Sequence, residues 1–171
     1  MKIAIAVVMV VLAVSAQVTI APLFPLGASI ADMVLVTLVL ATAFAGPRTG
    51  MFAVPFAAIC LGFVSDRDAG LLLLAFIPIL PLARWLETSA VPVSGYWRVA
   101  LTVLGTGLWA RLVLAAGVFV NGGDLPLSTL VFSALLPGAL LDWALLTLAY
   151  FPHRFVGWEV RPMDVQRGGI G

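Results

Sequence analysis

The side chains able to do chemistry in this sequence are few, and most are charges set in apolar surroundings. "LGFVSDRDAGLLLL", residues 61 to 74, places Asp66, Arg67 and Asp68 in a row. Two carboxylates with a cation between them make no acidic run that could hold Mg²⁺ for phosphoryl transfer. Hydrolytic triads need a base beside a nucleophile. The single histidine, His153, stands beside Arg154 at the end of the last apolar run, where it suits a helix C-terminus at an interface. Cys60, the lone cysteine, can form no intrachain disulfide and has no second thiol for a metal. "LGTGLW", residues 104 to 109, shares only its glycines with a nucleotide-binding loop and follows no strand. These absences predict a protein that is not an enzyme and carries no metal or cofactor.

The elements that must position these residues follow from composition. The chain has 171 residues, of which 63% are hydrophobic and 10% charged, and its mean hydropathy is +1.16. Soluble domains are about a quarter charged, so this chain cannot cover a water-facing surface and is expected to be an integral membrane protein. Lipid offers backbone amides no partners, which limits spanning structures to helices and closed barrels. Barrel strands alternate polar with apolar residues, whereas the apolar runs here are continuous, so the expected class is all-α. A net charge of +1 with singly scattered basic residues gives no patch for nucleic acid.

A helix needs about 20 apolar residues to cross a bilayer. Six runs qualify as candidates: 3 to 24, 28 to 45, 51 to 65, 69 to 86, 99 to 120 and 127 to 151. The third and fourth carry Pro55, Pro78 and Pro81, which free backbone carbonyls and predict kinked helices packed against others. With the N-terminus in the cytoplasm, Lys2, Arg48, Arg84, Arg98, Arg154, Arg161 and Arg167 all fall inside. Arg67 alone falls outside, and Arg111 lies within a span. The positive-inside rule therefore favours six transmembrane helices with both termini cytoplasmic, and Trp85, Tyr96, Trp97 and Trp158 form an inner aromatic belt. The expected organisation is one membrane domain, residues 1–155, and a cytoplasmic tail, residues 156–171.

Two other arrangements compete with this one. Lys2, an apolar stretch and "VSA", residues 14 to 16, suit a signal peptide cleaved before Gln17. The apolar run continues past residue 16, so an uncleaved anchor is the expectation. A re-entrant hairpin over residues 51–83 would leave the arginine count unchanged but put Asp66, Arg67 and Asp68 at membrane depth. Each charge there costs at least about 2.5 kcal/mol, which favours full spanning.

Three charges remain inside the expected spans. Arg111 lies 13 residues from Arg98 and 10 from Asn121, close to mid-bilayer, and Asp142 is comparably deep, ten residues before Pro152. Asp32 is about one turn into the second span. Such residues face a bundle interior and usually pair, so Arg111 is expected to meet Asp142 or Asp32 through its planar fork. The pairing serves either a structural clamp or a ligand site, proton path or subunit contact. One Arg and two Asp make a thin proton path.

The order of features resembles a known family. "PLGASIADMVLV", residues 25 to 36, leads through "GPRTG", residues 46 to 50, to "GFVSD", residues 62 to 66, then "AGLLLLAFIPIL" and a closing "LLDWALLTLAYFPHRF", residues 140 to 155. This resembles the rod shape-determining protein MreD, a small protein of the bacterial inner membrane. Two departures stand out: Asp142 takes a place where the family pattern has Asn, and "DRDAG" makes a tight outer turn. The resemblance implies a non-catalytic scaffold of the cell-elongation machinery. It would bind MreC and, through it, RodA and its penicillin-binding transpeptidase in lateral peptidoglycan synthesis. It also singles out Gly62 and Asp66 as partner-contact or turn residues. The alternative is the substrate-binding subunit of a modular, energy-coupling-factor type vitamin or metal transporter, with Asp32, Arg111 and Asp142 lining a ligand cavity. The short outer loops, poor in polar ligand groups, argue mildly against it.

Overall fold

The computed structural model describes residues 2–26, 29–88, 94–123, 126, 128 and 130–155, and among these it is all-helical. The helices are α1 (Lys2–Thr19), α2 (Met33–Ala45), α3 (Pro47–Ser65), α4 (Ala69–Phe76), α5 (Ile79–Thr88), α6 (Gly95–Val120) and α7 (Leu136–Phe155). A 3₁₀ turn, Ala21–Leu23, follows α1, and a π-helical stretch, Leu130–Leu135, leads into α7. The expected tail 156–171, with Trp158, Arg161 and Arg167, lies outside the described residues.

Each helix boundary has a local cause. Asp32 caps α2 by accepting the Leu35 N–H at 2.8 Å. Gly46, at φ 95°, ends α2, and Pro47 opens α3 at a position where its missing N–H is harmless. Asp66 ends α3 in the left-handed region, at φ 54° and ψ 30°, and Asp68 caps α4 by accepting the Leu71 N–H at 2.8 Å. The opening charges are thus a C-cap, an exposed Arg67 and an N-cap in succession.

Two expected spans come out differently. Residues 28–45 were expected to be one helix with Asp32 a turn inside it, but α2 begins at Met33 and Asp32 is its cap. Leu26 and Ser29 exchange both backbone hydrogen bonds ahead of that cap. Residues 69–86 break at Ile77 and Pro78 into α4 and α5. Pro78 has no N–H for the Leu74 carbonyl, and the Trp109 indole of α6 supplies one at 3.0 Å. The expectation that a neighbouring helix would satisfy a proline-freed carbonyl is met there.

Four helical stretches are long and apolar enough to cross a membrane: Ile3–Leu23, Pro47–Ser65, Gly95–Val120 and Leu130–Pro152. Met33–Ala45 and Ala69–Trp85 are shorter apolar stretches. Each of the six overlaps one of the runs read from sequence. α2 sits at the centre, against α1, α3, α5, α6 and α7, and Val34, Leu35 and Leu38 are fully buried. A helix that is apolar all round belongs in such an interior position. The outward faces of the others are apolar as well: Phe63, Leu112, Leu140 and Leu148 are exposed. A large exposed apolar surface of this kind suits lipid, not water.

The turn at Asp66 lies at the same end of the bundle as the end of α1, the start of α2 and the end of α6. Arg67 and Asp68 line one cavity together with Gln17 near the end of α1, Ile30 before α2 and Asn121 after α6. α3, at 19 residues, rises about 28 Å, which matches a full crossing of the hydrocarbon core.

Candidate functional site

The buried charges converge at the junction of α2, α6 and α7. Asp142 of α7 has a side chain 1% exposed and lies with Oδ2 at 2.7 Å from Nη1 of Arg111 on α6, whose side chain is 14% exposed. Nη1 also donates to the Gly107 carbonyl at 3.2 Å. Arg111 therefore pairs with Asp142 and not with the Asp32 carboxylate. Asp142 Oδ1 accepts the backbone N–H of Asp32 at 2.7 Å, so one carboxylate joins the α6 cation to the start of α2. The three residues expected to interact do meet, but Asp32 contributes its backbone to Asp142 and its side chain to the cap.

Two glycines make the space. A Cβ on Gly107 would stand 3.0 Å from both Arg111 Nη1 and Asp142 Oδ2, and one on Gly138 would stand 2.5 Å from Arg111 Cζ and Nη2. Gly138 of α7 meets the Arg111 guanidinium across the α6–α7 contact, whereas Gly107 sits four residues before Arg111 on α6 itself. Helical side chains lean toward the N-terminus, so position i−4 is where a long side chain lies down. Gly107 belongs to "LGTGLW", whose glycine here serves helix packing.

Further ties hold the start of α2. Gln17 Oε1 accepts the Met33 N–H at 2.6 Å, and the Ser29 hydroxyl donates to the Ala134 carbonyl at 2.6 Å. The segment before α2 is thereby fixed to α1, to the π-helical stretch and to α7. Sequence reasoning did not single out Gln17, Ser29, Gly107, Gly138 or Trp109. The spacing Gly-x-x-x-charge was legible for Gly107; nothing in the sequence marked Gly138 as the neighbour of Arg111, nor Gln17 or Ser29.

Gly62 and Asp66 lie elsewhere, at the α3–α4 turn. A Cβ on Gly62 would come within 3.0 Å of Ala69 Cβ and 3.1 Å of the Arg67 carbonyl, so this glycine lets α4 start directly over α3. Asp66 is exposed, with its backbone in the turn and its carboxylate in the open.

Two of the concavities on the bundle bear on function. The first, about 570 Å³, is a groove on the flank. α2 forms its floor through Val36, Thr37 and Ala41, and its walls are α1, through Ala6, Ala13 and Ala16, and α7, through Leu145 and Ala149. The second, about 770 Å³, lies at the end that carries the Asp66 turn. Gln17, Asp32, Arg67, Asp68, Arg111 and Asn121 supply its polar groups. Among the described residues, no group of three or more His, Cys, Asp or Glu side chains converges as a metal site would. At the opposite end of the bundle, Tyr96 hydrogen-bonds Thr147 at 2.9 Å and packs edge-on to Tyr150, which stacks on Phe44.

The chain was compared with protein-family models, curated proteins and solved structures, and it matches none of them.

Proposed function

We propose that this chain is a non-catalytic scaffold in the bacterial inner membrane, crossing it six times with both termini in the cytoplasm, and that it serves the cell-elongation machinery by holding MreC. RodA and its penicillin-binding transpeptidase would join through MreC to support lateral peptidoglycan synthesis. The likeness of "PLGASIADMVLV", "GFVSD" and "LLDWALLTLAYFPHRF" to the MreD family suggests the partners. The observation that carries the reading is the flank groove, with α1 and α7 as walls and α2 as floor. Between apolar helices in lipid, association depends on close packing and small residues. Ala6, Ala13, Ala16, Ala41, Ala45 and Ala149 line this groove, so a partner's single transmembrane helix can lie deep in it.

The test is co-purification of MreC from native membranes with wild-type protein and with an Ala13→Phe/Ala41→Phe variant that fills the groove. Loss of MreC from the variant, with unchanged membrane insertion and melting temperature, supports the reading. Equal recovery from both, or no recovery from wild type, overturns it.

A second reading, a ligand-binding subunit of a modular transporter, draws support from the open polar cavity at the Asp66 end. Thermal stabilisation by one member of a vitamin and metal panel, without any effect of the groove substitutions, is its expected signature.

A further inference from the structure

From the groups left unengaged in the end cavity, we infer that it binds a zwitterion in which an ammonium and a phosphate or carboxylate are held a few bonds apart. The inference is independent of MreC binding, because it uses none of the groove residues.

The cavity, about 770 Å³, is lined by charges of both signs. Arg67 makes no ion pair among the described residues. Arg111 lines the cavity and uses Nη1 on Asp142 and Gly107, while its Nε and Nη2, which lie against Gly138, make no hydrogen bond among the described residues. These guanidinium donors suit an anion. The same cavity holds carboxylates with one oxygen each engaged: Asp32 Oδ1 accepts the Leu35 N–H and Asp68 Oδ1 accepts the Leu71 N–H. Among the described residues their Oδ2 atoms take no hydrogen bond and can accept from an ammonium. The amides add to both sets. Among the described residues Gln17 uses its oxygen on Met33 and keeps its NH₂, while Asn121 uses its NH₂ on the Gly117 carbonyl and keeps its oxygen.

A ligand of one sign would satisfy half of these groups and stand against the like charges of the other half, which is costly in a partly dry site. A zwitterion satisfies both. The remaining wall is apolar, through Leu71, Leu114, Val118 and Leu130, so the ligand's carbon skeleton need not reach water. Two sources offer this chemistry: the phosphoethanolamine headgroup of a lipid, and a free amino-phosphate or amino acid.

The experiment uses the full chain in detergent and in nanodiscs. Glycerophosphoethanolamine, glycerol phosphate and ethanolamine are titrated separately while thermal unfolding is followed. Phosphatidylethanolamine and phosphatidylglycerol nanodiscs are compared by the lipid that stays bound in native mass spectrometry. The expected result is stabilisation by glycerophosphoethanolamine alone, or selective retention of phosphatidylethanolamine. The first identifies a free ligand as sufficient and the second a headgroup that needs its lipid. Arg67→Gln and Asp32→Asn should each weaken binding by about tenfold. Asparagine still caps a helix, so Asp32→Asn preserves α2. Equal effects of the singly charged compounds, no effect of either zwitterion, or variants that bind as wild type would overturn the inference.

Discussion

Removing Asp142 while Arg111 remains should be among the most destabilising single changes in the bundle. In Asp142→Ala the guanidinium keeps its charge in a site where only 14% of its side chain reaches the surface. Stripping one partner from a buried pair costs about 3–5 kcal/mol, because the other charge stays uncompensated. The Asp32 N–H also loses its acceptor, at 2.7 Å in the native protein, which adds about 1 kcal/mol. Asp142→Asn keeps an oxygen for that N–H and should cost less than the alanine. Joining Asp142→Asn to Arg111→Met removes both charges, keeps the acceptor and should regain most of the loss. The assay is a double-mutant cycle by reversible unfolding in mixed micelles, with the circular dichroism of the native state checked for each variant. Single costs under about 1 kcal/mol, or a double mutant whose cost is the sum of the singles, would refute the clamp.

Three further outcomes can be checked by the same unfolding assay. Gly138→Ala places a methyl within 2.5 Å of Arg111 Cζ and should cost about 1–3 kcal/mol, less when Arg111 is already Met. Trp109→Phe should cost about 1 kcal/mol by leaving the Leu74 carbonyl unpaired; with Pro78→Ala in place, a helical N–H takes over and the cost should vanish. Asp66→Gly should be neutral or stabilising, whereas Asp66→Val should cost about 1–2 kcal/mol, since φ there is 54°; equal effects of the two would contradict the turn assignment.

Much of the architecture was legible because membrane-type helices announce themselves by uninterrupted apolarity, and prolines and charges mark where they stop. "DRD" read as a turn and is one, since Asp68 is a preferred N-cap type and Asp66 tolerates the left-handed conformation that ends α3. The Arg111–Asp142 pair was half legible: depth required partners for the charges, but two carboxylates were in reach and only the packing of α6 on α7 selects one. Asp32 was misread because a charge near the start of an apolar run looks the same in sequence as a cap or as a residue one turn inside. Gln17 and Ser29 were invisible for a related reason. Their partners, the Met33 N–H and the Ala134 carbonyl, are backbone groups 16 and 105 residues away, and no side-chain pattern points to a backbone partner. The groove likewise arises from three helices, and alanines scattered over α1, α2 and α7 gain meaning only when they face one another.

Disulfide cross-linking between the groove and MreC in native membranes tests the scaffold proposal most directly. Cys60 is first replaced by serine; single cysteines are then placed at Ala13 and Ala41 in the groove, and at Phe63 and Leu112 on outward faces away from it. Each is paired with cysteines walked along the MreC transmembrane helix. The scaffold account expects cross-links from Ala13→Cys and Ala41→Cys that recur every three to four partner positions, about one helical turn, with none from the outward sites. Cross-links from Phe63→Cys or Leu112→Cys but not from the groove, or none with helical spacing, would contradict it.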